Sequence, residues 1–448
     1  MRYTIIPRGL TLNQVEAECR RFGGRNIKVA GMSEMVFCEL EPAGLEKLKA
    51  IPGLIVKEVK KTESTQVRAP EITPPAPITE QIIPVYGSFQ AVYASLFYEF
   101  RESFTPALAG RKLVCAVLDS GIRKSHVALK DKVTYEANFS NSPTLDDVFD
   151  HGTGVAYLVC GGDHAPGVES GLAPGARVMN IKVLDDDGTG TTEALIMGIN
   201  EVHDLFCQAV YGELPYGDPM YPNVVNMSLG TGDDGDPDNP LRLAVEKLYE
   251  ASPGKFPIFC SAGNLGPTPG SITLPAAARH AWAVGAVTFS PFDIWQYSSR
   301  GPVTLTTGET LVKPEMVCYG VNILVASAKD DTAYSLKSGT SFASPMAAGL
   351  LCLMREAAEA YGVFETLLAM PYEELEYVVN AMSWKPKEPV MTKDNDWGYG
   401  MPLGTLMQQQ FQPTAVVDMQ TALSTISPLL GIGLMGTMMG GIAKGLAV

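Results

Sequence analysis

The chain has 448 residues, 46% of them hydrophobic, which is enough for two or three domains with a large buried core and excludes a disordered chain. A formal net charge of −15, with no basic run, excludes a nucleic-acid partner, because phosphate recognition needs a basic face. The eight cysteines show no metal-ligand spacing and several fall in apolar runs, so they read as small buried hydrophobes.

The N-terminus, Met1-Arg2-Tyr3-Thr4-Ile5-Ile6-Pro7-Arg8, lacks the apolar h-region of a secretory signal. Together with the cysteine usage this predicts a reducing, cytoplasmic location. Residues 1–61 then alternate strand-like and helix-like runs: Tyr3 to Ile6, Asn13 to Phe22, Asn26 to Val29, Met35 to Leu40, Ala43 to Ile51 and Leu54 to Val59. That β-α-β-β-α-β order in about 60 residues is the size of a ferredoxin-like unit, a small α+β domain. A linker is predicted over 62–84, since Ala69 to Pro84 carries five prolines in sixteen residues and favours extended chain. Phe89 to Phe104 is an aromatic-rich helical run leading into a larger domain, 85–385.

In that domain strand-like runs (Leu113 to Leu118, Arg177 to Val183, Val224 to Met227, Ile258 to Cys260, Ala281 to Val287) alternate with helical ones. The alternation predicts an α/β fold with a doubly wound, mostly parallel sheet. Leu113 to Leu118 ends in Asp119-Ser120-Gly121-Ile122, which puts a carboxylate at the C-terminal edge of a buried strand, where open parallel sheets bind ligands. Asp150-His151-Gly152-Thr153-Gly154 places a histidine at the start of a small-residue helix. Ser338-Gly339-Thr340-Ser341-Phe342-Ala343-Ser344-Pro345 precedes an apolar run and reads as a tight turn opening a buried helix with Ser341 at its N-terminus. Backbone N–H groups there favour developing negative charge, which suits a nucleophile. Taken alone, the same segment suits an ordinary capped core helix equally well.

A nucleophile, a base and an acid are thus present in the chain order Asp, His, Ser. An α/β-hydrolase would run Ser, Asp, His with G-x-S-x-G, whereas Ala343 fills the last glycine position here. In that order and in these motifs the chain resembles the subtilisin-like serine proteases, over roughly residues 85–385. The resemblance implies peptide hydrolysis through an acyl-enzyme, with catalytic Asp119, His151 and Ser341. By similarity of segment, Cys260-Ser261-Ala262-Gly263-Asn264 supplies the oxyanion donor Asn264, and Ser228-Leu229-Gly230 pairs with substrate backbone. Ala262, Gly263 and Thr273 are expected in the substrate-binding walls, and an uncharged side chain before the scissile bond follows from the lack of an acid near Thr273. One position departs from the family: Gly154 stands where histidine or another small residue is usual.

The resemblance also implies that residues 1–61 are a propeptide-like inhibitor, made as part of a zymogen, whose last strand directs residues 61–68 to the cleft. Protein or peptide substrates are expected. No cofactor is required, although the acidic Gly-rich loops at Asp146-Asp147, Asp185-Asp186-Asp187 and Asp233-Asp234-Gly235-Asp236 allow structural calcium. None of these matches an EF-hand. Two other readings stay open: a transamidase or cyclase on the same fold, in which an amine replaces water, and a non-catalytic structural or binding protein.

Beyond 385 a polar bridge is predicted over 386–421, and then an apolar Gly/Met-rich tail over 422–448. Ala422 to Ala443 holds 22 uncharged residues, with Gly436-x-x-x-Gly440, long enough to span a bilayer. Its five glycines and Pro428 equally suit packing on protein, so a membrane or a homo-oligomer contact is expected through this tail.

Overall fold

A computed structural model describes residues 1–64, 100–162, 170–251, 257–289, 291–362, 372–386, 392–404 and 406–407. The tail 422–448, the linker from residue 65 and the helical run up to residue 99 lie outside the described residues.

The chain begins with β1 (Arg2–Pro7), α1 (Leu12–Arg21), β2 (Arg25–Ala30), β3 (Met35–Glu39), α2 (Pro42–Lys49) and β4 (Leu54–Glu58). The strands form an antiparallel sheet in the order β2-β3-β1-β4. A capping box starts α1, the Thr11 side chain and backbone exchanging hydrogen bonds with Gln14. Because side chains alternate along a strand, the sheet has two faces with two fates. Tyr3, Ile5, Val36 and Cys38 pack with Val15, Cys19 and Leu48 into the unit's own core. Ile6, Ala30, Met35 and Phe37 join the core of the larger domain.

Next come β5 (Lys61–Ser64), β6 (Val114–Asp119), β7 (Val133–Asn138), α3 (Gly152–Cys160), β8 (Arg177–Lys182), β9 (Thr189–Thr191) and α4 (Thr192–Val210). They are followed by β10 (Val224–Met227), β11 (Leu229–Gly230), α5 (Pro240–Ala251), β12 (Ile258–Ser261), β13 (Ala281–Thr288) and β14 (Asp293–Ile294). After them lie β15 (Val303–Thr304), β16 (Thr310–Leu311), β17 (Met316–Tyr319), β18 (Ile323–Ala326), β19 (Tyr334–Lys337) and α6 (Thr340–Ala360). The main sheet runs β14-β13-β12-β10-β6-β8-β7, with β17 also on β13, and every pair is parallel except β13 with β14. Continuous apolar strands such as β6, buried at all six positions, are what a parallel sheet covered on both faces requires. Helix α6 is buried almost throughout and packs against α3 and on β10, β12 and β13, while α4 and α5 pack together.

The polar bridge predicted over 386–421 needs correction at its start. α7 (Tyr372–Ala381) leads to β20 (Ser383–Trp384), which pairs antiparallel with β21 (Met401–Pro402), and Trp397, Met401 and Met407 lie in the main core. The charges that make this stretch look like solvent-facing chain are consumed internally. Lys385 Nζ donates to Asp394 at 2.7 Å, and Lys393 Nζ to Glu315 at 2.9 Å and Glu376 at 2.5 Å. Among the described residues no helix is long and apolar enough to cross a membrane.

Candidate active site

Three consecutive strands of the main sheet end at one edge, and each carries a piece of the site. Asp119 is the last residue of β6, Ser228 follows β10, and Ala262-Gly263-Asn264 follow β12. His151 stands at the start of α3 and Ser341 in the first turn of α6, all at the edge where parallel sheets bind ligands.

Asp119 Oδ1 accepts from His151 Nδ1 at 2.7 Å, and also from the Ser120 backbone N–H at 2.7 Å, so that oxygen is fixed from two sides. His151 has no side-chain cap of its own. Asp147 holds its turn instead: Oδ1 accepts from the N–H groups of Asp150 (2.9 Å) and His151 (3.3 Å) and from Ser120 Oγ (2.8 Å), while Oδ2 accepts from Thr153 N–H (2.9 Å). Gly152 N–H donates to Ser120 Oγ at 3.0 Å. One buried carboxylate thus satisfies the orphan donors of the helix start and ties the histidine turn to the strand carrying Asp119. Gly121 makes room for this, with φ +107° and only 2.6 Å from where a Cβ would lie to Leu145 O. Lys182, fully buried on the neighbouring strand, donates to the Ser120 carbonyl and, at 3.2 Å, to that of Asp146.

On the serine side, Ser341 Oγ donates to Ser228 O at 3.3 Å, and Ser228 Oγ donates back to Ser341 O at 2.8 Å. Asn226 Nδ2 donates to Ser228 Oγ (2.9 Å) and Asn226 Oδ1 accepts from Ser344 Oγ (2.7 Å), which staples the helix start to β10. The ring of Phe342, next to Ser341, lies 5.3 Å from the His151 ring. Asn264 Oδ1 accepts from Thr340 N–H and Thr340 Oγ1, both at 3.0 Å, which turns its amide nitrogen the other way. Asn264 Nδ2, His151 Nε2 and Asp119 Oδ2 are buried and have no hydrogen-bond partner among the described residues.

The remaining expected residues fall in the same place. Leu229 and Gly230 form β11, which pairs antiparallel with β5, and β5 pairs on its other side with β9. Residues 61–64 are therefore the middle strand of a three-stranded sheet that ends beside Ser228. Thr273 Oγ1 lies 2.7 Å from where a Cβ would stand on Gly230 and 2.9 Å from that on Gly263, and Thr273 N–H donates to Ala262 O at 3.1 Å. A Cβ at Gly154 would stand 2.8 Å from Val325 Cγ2, so the departure from the family pattern coincides with close packing of β18. His126, seven residues after Asp119, is a buried structural group: Nε2 bonds Ala333 O at 2.9 Å and burial pushes its pKa down.

Asp147, Ser120, Asn226, Ser344 and Lys182 were not singled out from sequence. Asp147 had a usable signal, a carboxylate four residues before a histidine that opens a helix. Among the described residues no group of three or more His, Cys, Asp or Glu could hold a metal ion. The acidic loops face the chain's own donors: Asp185 takes Asn141, Asp186 takes Ser142 and Lys182, and Asp233 takes Arg242.

A parallel α/β sheet with an Asp–His pair and a helix-borne serine at one edge defines a class of protein built for nucleophilic chemistry. Residues 110–400 match the model of the Subtilase family, and the chain belongs to that family. It is 31% identical over 315 residues to the subtilisin of Bacillus sp. (strain TA39), covering 68% of this chain and 69% of that protein. It is 32% identical over 271 residues to the serine protease AprX of Bacillus subtilis (strain 168), 55% of this chain and 58% of AprX. With the subtilisin-like protease SBT6.1 of Arabidopsis thaliana it shares 30% identity over 247 residues, 55% of this chain and 21% of that protein. The match thus spans about a fifth of SBT6.1 and just over half of AprX.

Proposed function

We propose that this protein is a serine endopeptidase that works through an acyl-enzyme and is made self-inhibited by its own N-terminal unit. The observation that carries the chemistry is the 2.7 Å hydrogen bond between Asp119 and His151 beside the helix that opens with Ser341. Ser341 Oγ attacks the scissile carbonyl; His151 takes its proton at Nε2 and returns it to the leaving amine. Asp119 fixes the imidazole tautomer and balances its charge as it forms. The unpartnered amide of Asn264 donates to the oxyanion; in subtilisin itself such a donor is worth about 3–4 kcal/mol.

Substrate adds as a strand between β11 and β9, the place β5 holds in the intact chain. Its walls at Ala262, Gly263 and Thr273 carry no charge, which supports an uncharged residue before the cut. The N-terminal sheet order β2-β3-β1-β4 supports a ferredoxin-like inhibitor, with β5 as the described part of the segment it directs towards the cleft. No disulfide joins the cysteines among the described residues, which supports a reducing compartment. Purified protein incubated with a peptide library, with products read by mass spectrometry, tests the reading. Hydrolysis products lost in Ser341→Ala support it; ligated products identify a transamidase, and no products a non-catalytic protein.

A further inference from the structure

We propose that the ion pair between Asp150 and Lys337 is a positioning device for His151, locking the backbone of the base to the hairpin that delivers the nucleophile. This rests on the reading of His151 as general base. Asp150 immediately precedes His151 and has φ +67°, a left-handed conformation that a residue other than glycine keeps only when its surroundings impose it.

The surroundings here are specific. Asp150 Oδ1 accepts from Ser327 Oγ at 2.9 Å and from Ala328 N–H at 2.6 Å, just beyond β18. Asp150 Oδ2 accepts from Lys337 Nζ at 2.8 Å, and the same ammonium donates to the Asp150 main-chain carbonyl. That carbonyl belongs to the peptide bond that enters His151, so Lys337 holds the plane on which the imidazole hangs. Lys337 closes β19, pairs with Ile323 across the hairpin, and stands four residues before Ser341. Its side chain is 7% exposed and that of Asp150 19%, so water competes weakly for either.

Asp147 secures the other side of the same turn to Ser120, beside the acid. The base is therefore suspended between two carboxylates, one tied to the strand of Asp119 and one to the strand leading to Ser341. Beyond the Asp119 bond, no hydrogen-bond partner of the His151 ring exists among the described residues, so the direction of Nε2 depends on that bond, on ring packing with Phe342 and on the backbone turn.

Removing the ammonium frees the turn without touching the pairing strand at Leu229 and Gly230 or the oxyanion amide. It should therefore lower turnover and leave peptide binding alone. The test compares Lys337→Met, Lys337→Arg, Asp150→Asn and the Asp150→Asn/Lys337→Met double variant with the parent, all in the full chain. Readouts are kcat and KM on a peptide substrate, and the rate at which diisopropyl fluorophosphate modifies Ser341, which needs the base but no substrate strand. Lys337→Met is expected to lose roughly 10–100-fold in kcat with KM within about twofold, the organophosphate rate falling in parallel. Lys337→Arg should recover most of the loss, and the double variant should be no slower than the slower single one. If Lys337→Met does not fold, Asp150→Asn, which keeps the size and the Ser327 contact, carries the same comparison. An unchanged kcat in a folded variant, a rise in KM alone, or additive losses would overturn the proposal. The parent reading fails separately: it falls if Ser341→Ala keeps its activity, whereas an inactive Ser341→Ala beside a fully active Lys337→Met sinks only the clamp.

Discussion

The N-terminal unit and helix α6, which carries Ser341, both lie against the main body, yet they are held in different ways. Helix α6 is buried almost end to end and its first turn is bonded to Ser228, Asn226 and Asn264. The N-terminal unit lends only one face of a sheet to the shared core, through Ile6, Ala30, Met35 and Phe37, and rings it with ion pairs. Arg2 and Lys28 meet Glu193, Arg8 meets Asp238, Lys57 meets Asp236 and Lys60 meets Asp234. An apolar centre with a charged rim is the anatomy of an interface between partners, while α6 has that of a core.

The sharpest way to break this comparison is at the site. Ser341→Ala should lower turnover by a factor on the order of 10⁶, the magnitude known for the subtilisin triad, with melting temperature little changed. Asn264→Ala should reduce kcat by roughly 10²–10³ with KM nearly constant, again on the scale known from subtilisin. An unchanged rate would place the oxyanion donor elsewhere.

Smaller effects are expected at the interface. Phe37→Ala, which opens the apolar centre at a cost of about 3–5 kcal/mol, should raise the activity of the full chain more than any single rim change. Lys60→Ala removes an exposed pair with about 0.2–1 kcal/mol behind it and should raise activity only a few-fold. If the rim variant released more activity than Phe37→Ala, charge rather than apolar contact would hold the N-terminal unit in place.

The rim also predicts a pH dependence. Burial would raise the Glu193 carboxyl, but hydrogen bonds from Arg2 and Lys28 outweigh it and hold its pKa below the ordinary 4.5. Asp234 and Asp236 are likewise pushed up by burial and held, by Lys60 and Lys57, below the ordinary 3.8. Groups whose pKa is lowered by docking contribute above their free pKa and cease to contribute as pH falls through the docked one. Docking should therefore be unaffected near neutrality and loosen at pH below about 4. Limited proteolysis of Ser341→Ala protein across that range would measure it, with constant protection counting against the idea.

The smallest effect is expected at the far end. Truncation after Gln412 should leave kcat and KM unchanged. If the tail is an anchor, only the full chain will float with liposomes; if it assembles copies, only the full chain will form oligomers in lipid-free buffer. Identical behaviour of both proteins would remove either role, and lost activity would make the tail part of the fold.

The positions of Asp119, His151, Ser341 and Asn264 were legible because each sits at the end of a local pattern, an apolar run followed by small residues. The β-α-β-β-α-β order was legible for the same reason, being written in consecutive stretches. What held those residues in place was not, because it pairs distant positions. Lys337 and Asp150 are 187 residues apart, Asn226 and Ser344 are 118 apart, and nothing local marks either. The segment 392–402 misled because its charges find partners inside the protein, at Lys385, Glu315 and Glu376, rather than water.

The three-stranded sheet of β11, β5 and β9 has one more consequence. If β5 blocks the groove as proposed above, a strand that is covalently part of the enzyme meets it intramolecularly, at an effective concentration independent of how dilute the protein is. Before any cut, then, diluting a solution a thousandfold should not relieve the block. Once the chain is severed beyond Ser64, the same strand becomes an ordinary dissociable ligand, and lag times and yields should begin to depend on dilution. On that reading, cutting a single peptide bond would convert a first-order latch into a concentration-dependent one.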